Sequence, residues 1–193
     1  MPPHAKPPRA APRLVALVSA AAVLTALAGC ASGWVSDTLY VAKWTPAWKG
    51  KHRQASYRVG VPGSGWSATR QDGSQVAWSR GSPPGVIQVR SQCEEHGDSG
   101  LAEFTDHLRI DFGAWTVVRQ EPLALVGREA LRTRVDAQLD GVPVALDLVV
   151  LKKDGCLFDL SYIAPPHSFE QGRGDFESVV AGFEFPVNRG RRK

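Results

Sequence analysis

Residues 131–150 carry the pattern that most constrains the fold, because two alternating runs flank a tight-turn signal. Apolar and polar side chains alternate along 131–139, which predicts a half-buried β-strand. Asp140–Gly141 follows, a dipeptide that tolerates the positive φ angles of a two-residue hairpin turn. Apolar residues at alternate positions of 142–150 then run back. This segment therefore predicts an antiparallel hairpin.

The pattern continues beyond this hairpin and is preceded by shorter elements. Asp154–Gly155 predicts a second turn, so the hairpin extends into a meander. Asp98 or Ser99 is the predicted N-cap of a first helix, and Gly81–Gly85 predicts a loop. The predicted strands are 57–61, 75–79, 86–92, 116–125, 131–139, 142–150 and 158–162, and the predicted helices are 101–113 and 169–183.

The order of these elements resembles that of a known fold. It closes with a helix that ends in Val179-Val180-Ala181-Gly182-Phe183, and over roughly residues 55–186 it is similar to the PsbP/Mog-like α/β/α sandwich. The resemblance implies an α+β fold in which an antiparallel sheet meander carries helices on its two faces. Because members of that fold are accessory or partner-binding proteins, the resemblance also implies such a role.

The N-terminal segment predicts export and lipid anchoring. Three basic residues precede an uncharged run over 14–28, which is too short to cross the roughly 30 Å of bilayer hydrocarbon. Leu27-Ala28-Gly29-Cys30 resembles the lipobox of bacterial lipoproteins, whose cysteine is acylated and becomes the first residue of the mature chain. The resemblance implies a lipid anchor on Cys30 in the bacterial cell envelope. Ala31 favours the outer membrane if the host has two membranes. The alternative is an ordinary secretory signal with a chance cysteine.

These features divide the chain into four expected parts. They are a lipoprotein signal peptide (1–29), a lipid anchor with a Trp-containing tether (30–54), a single α+β domain (55–186) and a basic tail (187–193). The tryptophans of the tether predict either a flap that docks on the domain or a contact with the membrane interface.

Charge narrows the range of partners. All 19 acidic residues lie after Cys30, whereas three of the 23 Lys and Arg residues lie before it, so the exported chain is nearly neutral. Basic clusters at 49–53 and 187–193 indicate either solvated tails or contact with anionic head groups. Nucleic acid is not expected as a partner, because export separates the chain from it and no recognition motif accompanies the charge.

Two cysteines remain once Cys30 is acylated. Cys93 and Cys156 form an even pair in an oxidising compartment, which predicts a disulfide bond. Closing a loop of about sixty residues would contribute roughly 3–4 kcal/mol through loop-closure entropy. The alternative is two unpaired cysteines buried as small apolar residues.

Two motifs that resemble reactive sites have simpler interpretations. The stretch Gly97–Gly100 is similar to the nucleophile region of chymotrypsin-like proteases, but it lacks the Gly-Pro that follows there and an upstream histidine segment. Capping of the following helix by Asp98 or Ser99 explains the same residues. A metal could be held by Cys93 together with Glu94, Glu95 and His96, yet zinc sites usually combine closely spaced pairs of Cys and His.

Asp136, Asp147 and Asp159, all on predicted strands, are candidates for the pair of carboxylates that a glycosidase requires. Asp147 and Asp159 could be neighbours across the Asp154–Gly155 hairpin, but their like charges would then require a cation such as Arg132 or Arg134 between them. Asp136 lies on the preceding strand. A charge ladder that faces solvent on the outer side of the sheet is the simpler interpretation.

The sequence thus predicts a membrane-anchored envelope lipoprotein with a non-enzymatic, accessory or partner-binding role. No catalytic residue, metal or cofactor is expected. The partner would bind at the sheet edge, at the Trp-containing tether or at the face of Arg132 and Arg134. The remaining alternatives are a module that binds a small or lipidic ligand between a helix and the sheet, and an envelope hydrolase.

Overall fold

The computed structural model describes residues 40–44, 53–69, 76–93 and 99–186. The predicted signal peptide (1–29), Cys30 and the basic tail (187–193) lie outside the described residues. So do Glu94, Glu95, His96 and Asp98. Among the helices that the structure describes, none is both long and apolar enough to cross a bilayer.

The described chain folds into two antiparallel sheets and two α-helices. The strands are β1 (Tyr40–Trp44), β2 (Arg53–Tyr57), β3 (Ser67–Thr69), β4 (Val76–Gly81), β5 (Pro84–Gln92), β6 (Gly113–Leu125), β7 (Arg128–Leu139), β8 (Val142–Lys153) and β9 (Cys156–Ala164). The helices are α1 (Leu101–His107) and α2 (Glu170–Ala181), and a 3₁₀ turn spans Pro166–Ser168. The larger sheet has seven strands in the order β3-β4-β5-β9-β8-β7-β6.

The predicted α+β class and the antiparallel meander are confirmed. Strands β6 to β9 pair consecutively, and both predicted Asp-Gly turns join their strands. Asp140 and Asp154 have φ angles of 51° and 53°, and the glycine after each is also left-handed. This is the backbone shape that favours Asp-Gly in two-residue hairpins.

Several boundaries differ from the prediction. Strand β6 begins at Gly113 rather than at Thr116. Helix α1 ends at His107, and its N-cap is Gly100, with no side-chain cap hydrogen bond. The prediction of Asp98 or Ser99 as the cap was therefore wrong. The expected loop over 81–85 is a tight turn, because β4 runs to Gly81 and β5 starts at Pro84.

Strand β1 lies in the segment that we predicted as a tether, and its partner β2 begins there and runs into the predicted domain. Tyr40 lies opposite Tyr57, and Trp44 lies opposite Arg53. The two strands therefore form an antiparallel sheet, which the irregular spacing of the apolar residues did not predict.

The core consists of separate clusters to which β8 contributes alternate residues. Ala145, Val149 and Leu151 belong to the largest cluster, which also holds Phe176 and Val179 of α2. The residues between them, Val144, Leu146 and Leu148, belong to a second cluster. A third cluster joins Phe104 of α1 to Val150 and Leu157. Because successive side chains of a strand point to opposite faces, both faces of β8 are buried.

Candidate functional site

Arg132, which we predicted to lie on an interaction face, is part of a partly buried ion network. Its Nε and Nη2 donate to the two carboxylate oxygens of Asp147 at 2.9 and 2.6 Å, and its Nη1 donates to Glu177 at 3.0 Å. The hydrogen bond to Asp147 is the main cause that raises the pKa of Arg132 above its ordinary value. Strand β7 positions the arginine, β8 the aspartate and α2 the glutamate. The network therefore ties α2 to the sheet.

Arg134, the second residue of the predicted face, is also engaged. Its guanidinium lies 3.8 Å from the centre of the Phe169 ring and donates to the main-chain oxygen of Leu146 at 3.2 Å. It also pairs with Asp136 at 3.2 Å. Cation–π contacts of this kind stabilise by about 0.5–2 kcal/mol. Arg134 therefore helps to hold the segment that leads into α2.

A shallow pocket of about 150 Å³ lies over this region and is lined by four arginines together with Val118, Glu121 and Asp147. Each of these arginines has a carboxylate partner. The pairs are Arg119 with Glu121, Arg132 with Asp147, Arg134 with Asp136 and Arg173 with Glu170. The predicted interaction face is thus a neutralised charge network and not a free cationic surface.

The prediction that Asp147 and Asp159 are neighbours across the β8–β9 hairpin was wrong. Asp147 lies opposite Tyr162 on β9, whereas Asp159 lies opposite Val150 on β8. Because Tyr162 and Asp159 are three residues apart on one strand, their side chains point to opposite faces of the sheet. The two carboxylates cannot act together, and neither faces solvent, since both are buried. The expected solvent-facing charge ladder is therefore also wrong at these two positions.

Asp159 is the most perturbed carboxyl group in the described chain. Burial raises its pKa from 3.8 to about 6, and the positive charge of Arg90, directly opposite on β5, opposes this rise. Ser161 lies two residues further along the same face, and its buried hydroxyl has no partner among the described residues. Alternate residues of a strand are roughly 7 Å apart, beyond hydrogen-bond reach. The geometry does not provide an activated nucleophile.

Asp175 forms a structural hub that the sequence did not predict. Its carboxylate accepts hydrogen bonds from the main-chain N–H of Gly63 at 3.0 Å, from Nε1 of Trp66 at 2.9 Å and from Arg80 at 3.2 Å. The guanidinium of Arg80 also lies 4.7 Å from the centre of the Trp66 ring. The hub joins the start of the domain to α2. No periodic pattern signals it, because its members are far apart in the sequence.

Several exposed apolar side chains lie on the half of the sheet nearer the β7–β8 turn and in the segment before β6. We call Ile110, Val117 and Val142 the apolar end, whereas Val118, which is also exposed, lines the arginine pocket described above. Ile110 is 81% exposed and Val142 is 59% exposed. The pairing of Gly113 with Gln138 brings the start of β6 beside this turn. Phe112 and Trp115 pack beneath it, with ring centres 5.5 Å apart, against the second core cluster. Exposed apolar surface is a candidate for contact with a partner where it forms a contiguous patch.

The outer edge of β6, by contrast, is poorly suited to adding a strand. Its pairing with β7 has two register shifts, between Gly113 and Thr116 and between Val117 and Arg119. Pro122 also lies within the strand and has no N–H to donate. Bulges and prolines are the devices by which proteins blunt exposed edges. The side chains at the apolar end, and not the main chain of β6, are therefore the better candidates for contact with a partner.

The remaining predicted site residues are placed as follows. The Sγ atoms of Cys93 and Cys156 lie at the disulfide distance of 2.03 Å, and both residues are buried beside the β8–β9 turn. Within the described ranges, no three or more His, Cys, Asp or Glu side chains are grouped as a metal site would require.

No protein family and no curated protein matches the sequence. The solved structures that are similar to parts of the chain include the following three. The PsbP protein CyanoP from Synechocystis is 11% identical with a TM-score of 0.49, covering 76% of this chain and 92% of its own. A Bacteroides thetaiotaomicron protein is 13% identical with a TM-score of 0.47; 69% of this chain matches only 46% of that protein. LpqN, involved in cell envelope biogenesis of Mycobacterium tuberculosis, is 13% identical with a TM-score of 0.49, covering 77% and 92% of the two chains.

Proposed function

We propose that this chain is a lipid-anchored envelope protein with a non-enzymatic, accessory role, and that it binds a protein partner through its apolar end. The observation that carries the proposal is the exposure of Ile110, Val117 and Val142 toward one end of the sheet. Burying an apolar surface against a partner is favoured by about 25 cal/mol per Å².

The charged groups support the non-enzymatic part of the proposal. Arg132 binds both Asp147 and Glu177, and Arg80 is held by Asp175. These charged groups hold α2 and the strands together, and among the described residues no acid and base are placed together beside a cleft.

The ligand-binding alternative has little room between α2 and the sheet. Phe158, Phe169 and Phe176 are fully buried there, and Tyr162 contacts Phe169 with ring centres 4.8 Å apart. Small-molecule sites usually occupy about 300–1,000 Å³. Aromatic rings fill the space in which such a ligand would lie.

The proposal includes three finer features from the sequence. The first is acylation of Cys30 after removal of the signal peptide, with retention in the outer membrane where the host has one. The second is an oxidised Cys93–Cys156 pair. The third is the α/β/α layering, which is supported by the way that alternate residues of β8 pack with Phe176 of α2 and with the clusters next to Phe104 of α1.

Site-specific photocrosslinking in intact membranes tests the proposed function. A photoreactive amino acid replaces Ile110 or Val142 in the full-length protein, and Glu170, an exposed residue of α2, is the matched control position. We expect the same crosslinked partner at 110 and 142 and no such product at 170. The partner-binding role would be refuted by crosslinks that are absent or equal at all three positions. Palmitate labelling of the parent and its loss in Cys30→Ser test the anchor separately.

A further inference from the structure

A basic pocket lies at the opposite end of the sheet from the apolar end. It has a volume of about 180 Å³ and is lined by Arg128, Lys152, Lys153, Asp154, Gly155 and Cys156. Strand β8 runs between the two ends and, with twelve residues, is about 40 Å long. The sheet is therefore polarised along its strands.

Charge within the basic pocket is unbalanced. Asp154 is the one carboxylate in its lining, and it serves two cations: its Oδ2 lies 3.4 Å from Lys153 Nζ, and its Oδ1 lies 4.0 Å from Arg128. Lys152 is a third cation, held by the main-chain oxygen of Ser99 and by the Phe104 ring, whose centre is 4.3 Å from its Nζ. Neither of these groups carries a negative charge. The lining therefore has a surplus of positive charge.

The register of the strands forces these cations together. Ala130 pairs with Leu151, so Arg128 and Lys153 follow at corresponding positions two residues further along β7 and β8. Like charges placed opposite each other across two strands are destabilising. A bound anion would relieve that repulsion. Arg128 is half exposed, which keeps the pocket open to solvent.

The chain also connects to its proposed membrane anchor at this end. Tyr57, which follows the predicted tether, packs against Phe158 with ring centres 5.1 Å apart and reaches Ser91 with its hydroxyl at 3.1 Å. Phe158 lies two residues after Cys156. Phe185, from which the chain leads into the basic tail, has its ring centre 4.3 Å from Lys153 Nζ. The pocket and both routes toward the predicted tether and tail therefore share one end of the domain.

We propose that the basic pocket binds a phosphate group, presented by anionic phospholipid head groups at the surface to which the chain is anchored. This inference rests on the proposed function for the anchor but not for the partner. Arg128 and Lys153 contact the phosphate oxygens from two strands, and Lys152 adds to the local potential. Each lysine or arginine near an anionic membrane surface contributes about 1 kcal/mol.

Amide chemical shifts of the full-length protein in neutral detergent micelles test this site. Gly155 lines the pocket and Gly127 precedes Arg128, so their amides report on it. Three separate titrations add phosphatidylglycerol, phosphatidylcholine or inorganic phosphate to the protein. We expect saturable shifts with phosphatidylglycerol and none with phosphatidylcholine, because zwitterionic head groups carry no net charge. Saturation by inorganic phosphate as well would identify the phosphate group itself as the ligand; shifts with phosphatidylglycerol alone would identify the head group at a lipid surface.

Matched variants separate the pocket from general electrostatic attraction. Lys153→Gln and Arg128→Gln are each expected to weaken binding about fivefold, whereas Lys153→Arg retains it. The control Arg173→Gln removes a half-exposed arginine on α2 and is expected to leave binding unchanged. The site would be overturned by an absence of shifts in every titration, or by an equal loss in Arg173→Gln. The crosslinks at the apolar end would be unaffected by such a failure, so the two proposals fail separately.

Discussion

Replacing Asp159 by asparagine tests whether burial of this carboxyl group destabilises the fold at neutral pH. Asp159 is 9% exposed, and burial raises its pKa from 3.8 to about 6. A carboxyl group with a raised pKa prefers its neutral form in the folded state. Its contribution to stability is therefore fully present below about pH 4 and is lost as the pH rises through about 6.

The magnitude follows from the size of the shift. A change of about two pKa units corresponds to about 3 kcal/mol at pH 7, since one unit is worth 1.36 kcal/mol. Asparagine carries no charge at any pH and so avoids this cost. We expect Asp159→Asn to raise the free energy of unfolding by up to about 3 kcal/mol at pH 7, and by little at pH 4.

Urea denaturation of both proteins between about pH 4 and pH 8 measures this difference directly. Asp136→Asn is a suitable control, because Asp136 is largely exposed and pairs with Arg134 on the same strand. The control should show no gain that grows with pH. A stability difference between Asp159→Asn and the parent that stays constant across the range would refute the reasoning, since the charge of Asp159 would then not be the cause.

Three further substitutions test the packing described above by urea denaturation. Arg132→Leu should cost about 3–5 kcal/mol, because it leaves the buried Asp147 charge unpaired, and replacing both residues by leucine should recover most of the loss. Asp175→Ala should cost about 2–4 kcal/mol, because Arg80 and two other donors lose their acceptor. Val126→Asn should stabilise by about 1 kcal/mol, because Val126 has a φ of 48° in a turn that favours asparagine.

The sequence allowed the meander to be predicted because its turns and its strands carry independent local signals. Asp140–Gly141 and Asp154–Gly155 mark the turns, and alternation marks the strands on either side. Such signals act over a few residues and do not depend on what covers the sheet. The irregular bounds of β6 were missed because its two register shifts interrupt the alternation.

The environment of Arg132 could not be predicted from β7 alone. Alternation along that strand indicates which residues share a face, but it does not reveal that α2 covers the polar one with Glu177. The sequence of β8 did indicate it. Over 144–151, apolar residues occupy both odd-numbered and even-numbered positions, and Asp147 is the only polar residue among them. A strand buried on both faces requires a partner for a charge in its middle.

The apolar end and the basic pocket lie at opposite ends of the sheet, and this arrangement leads to one prediction that tests both proposals together. If the basic pocket holds its end of the sheet against anionic head groups, β8 carries the apolar end about 40 Å outward, clear of the protein's own membrane. Arg128→Gln combined with Lys153→Gln should then lower the crosslinking yield at Ile110 in membranes, while partner binding in detergent stays unchanged. The double variant would lose the orientation of the domain at the membrane but keep its affinity for the partner. Equal reductions in membranes and in detergent would show instead that the two cations act on the partner itself, which would contradict the proposed orientation.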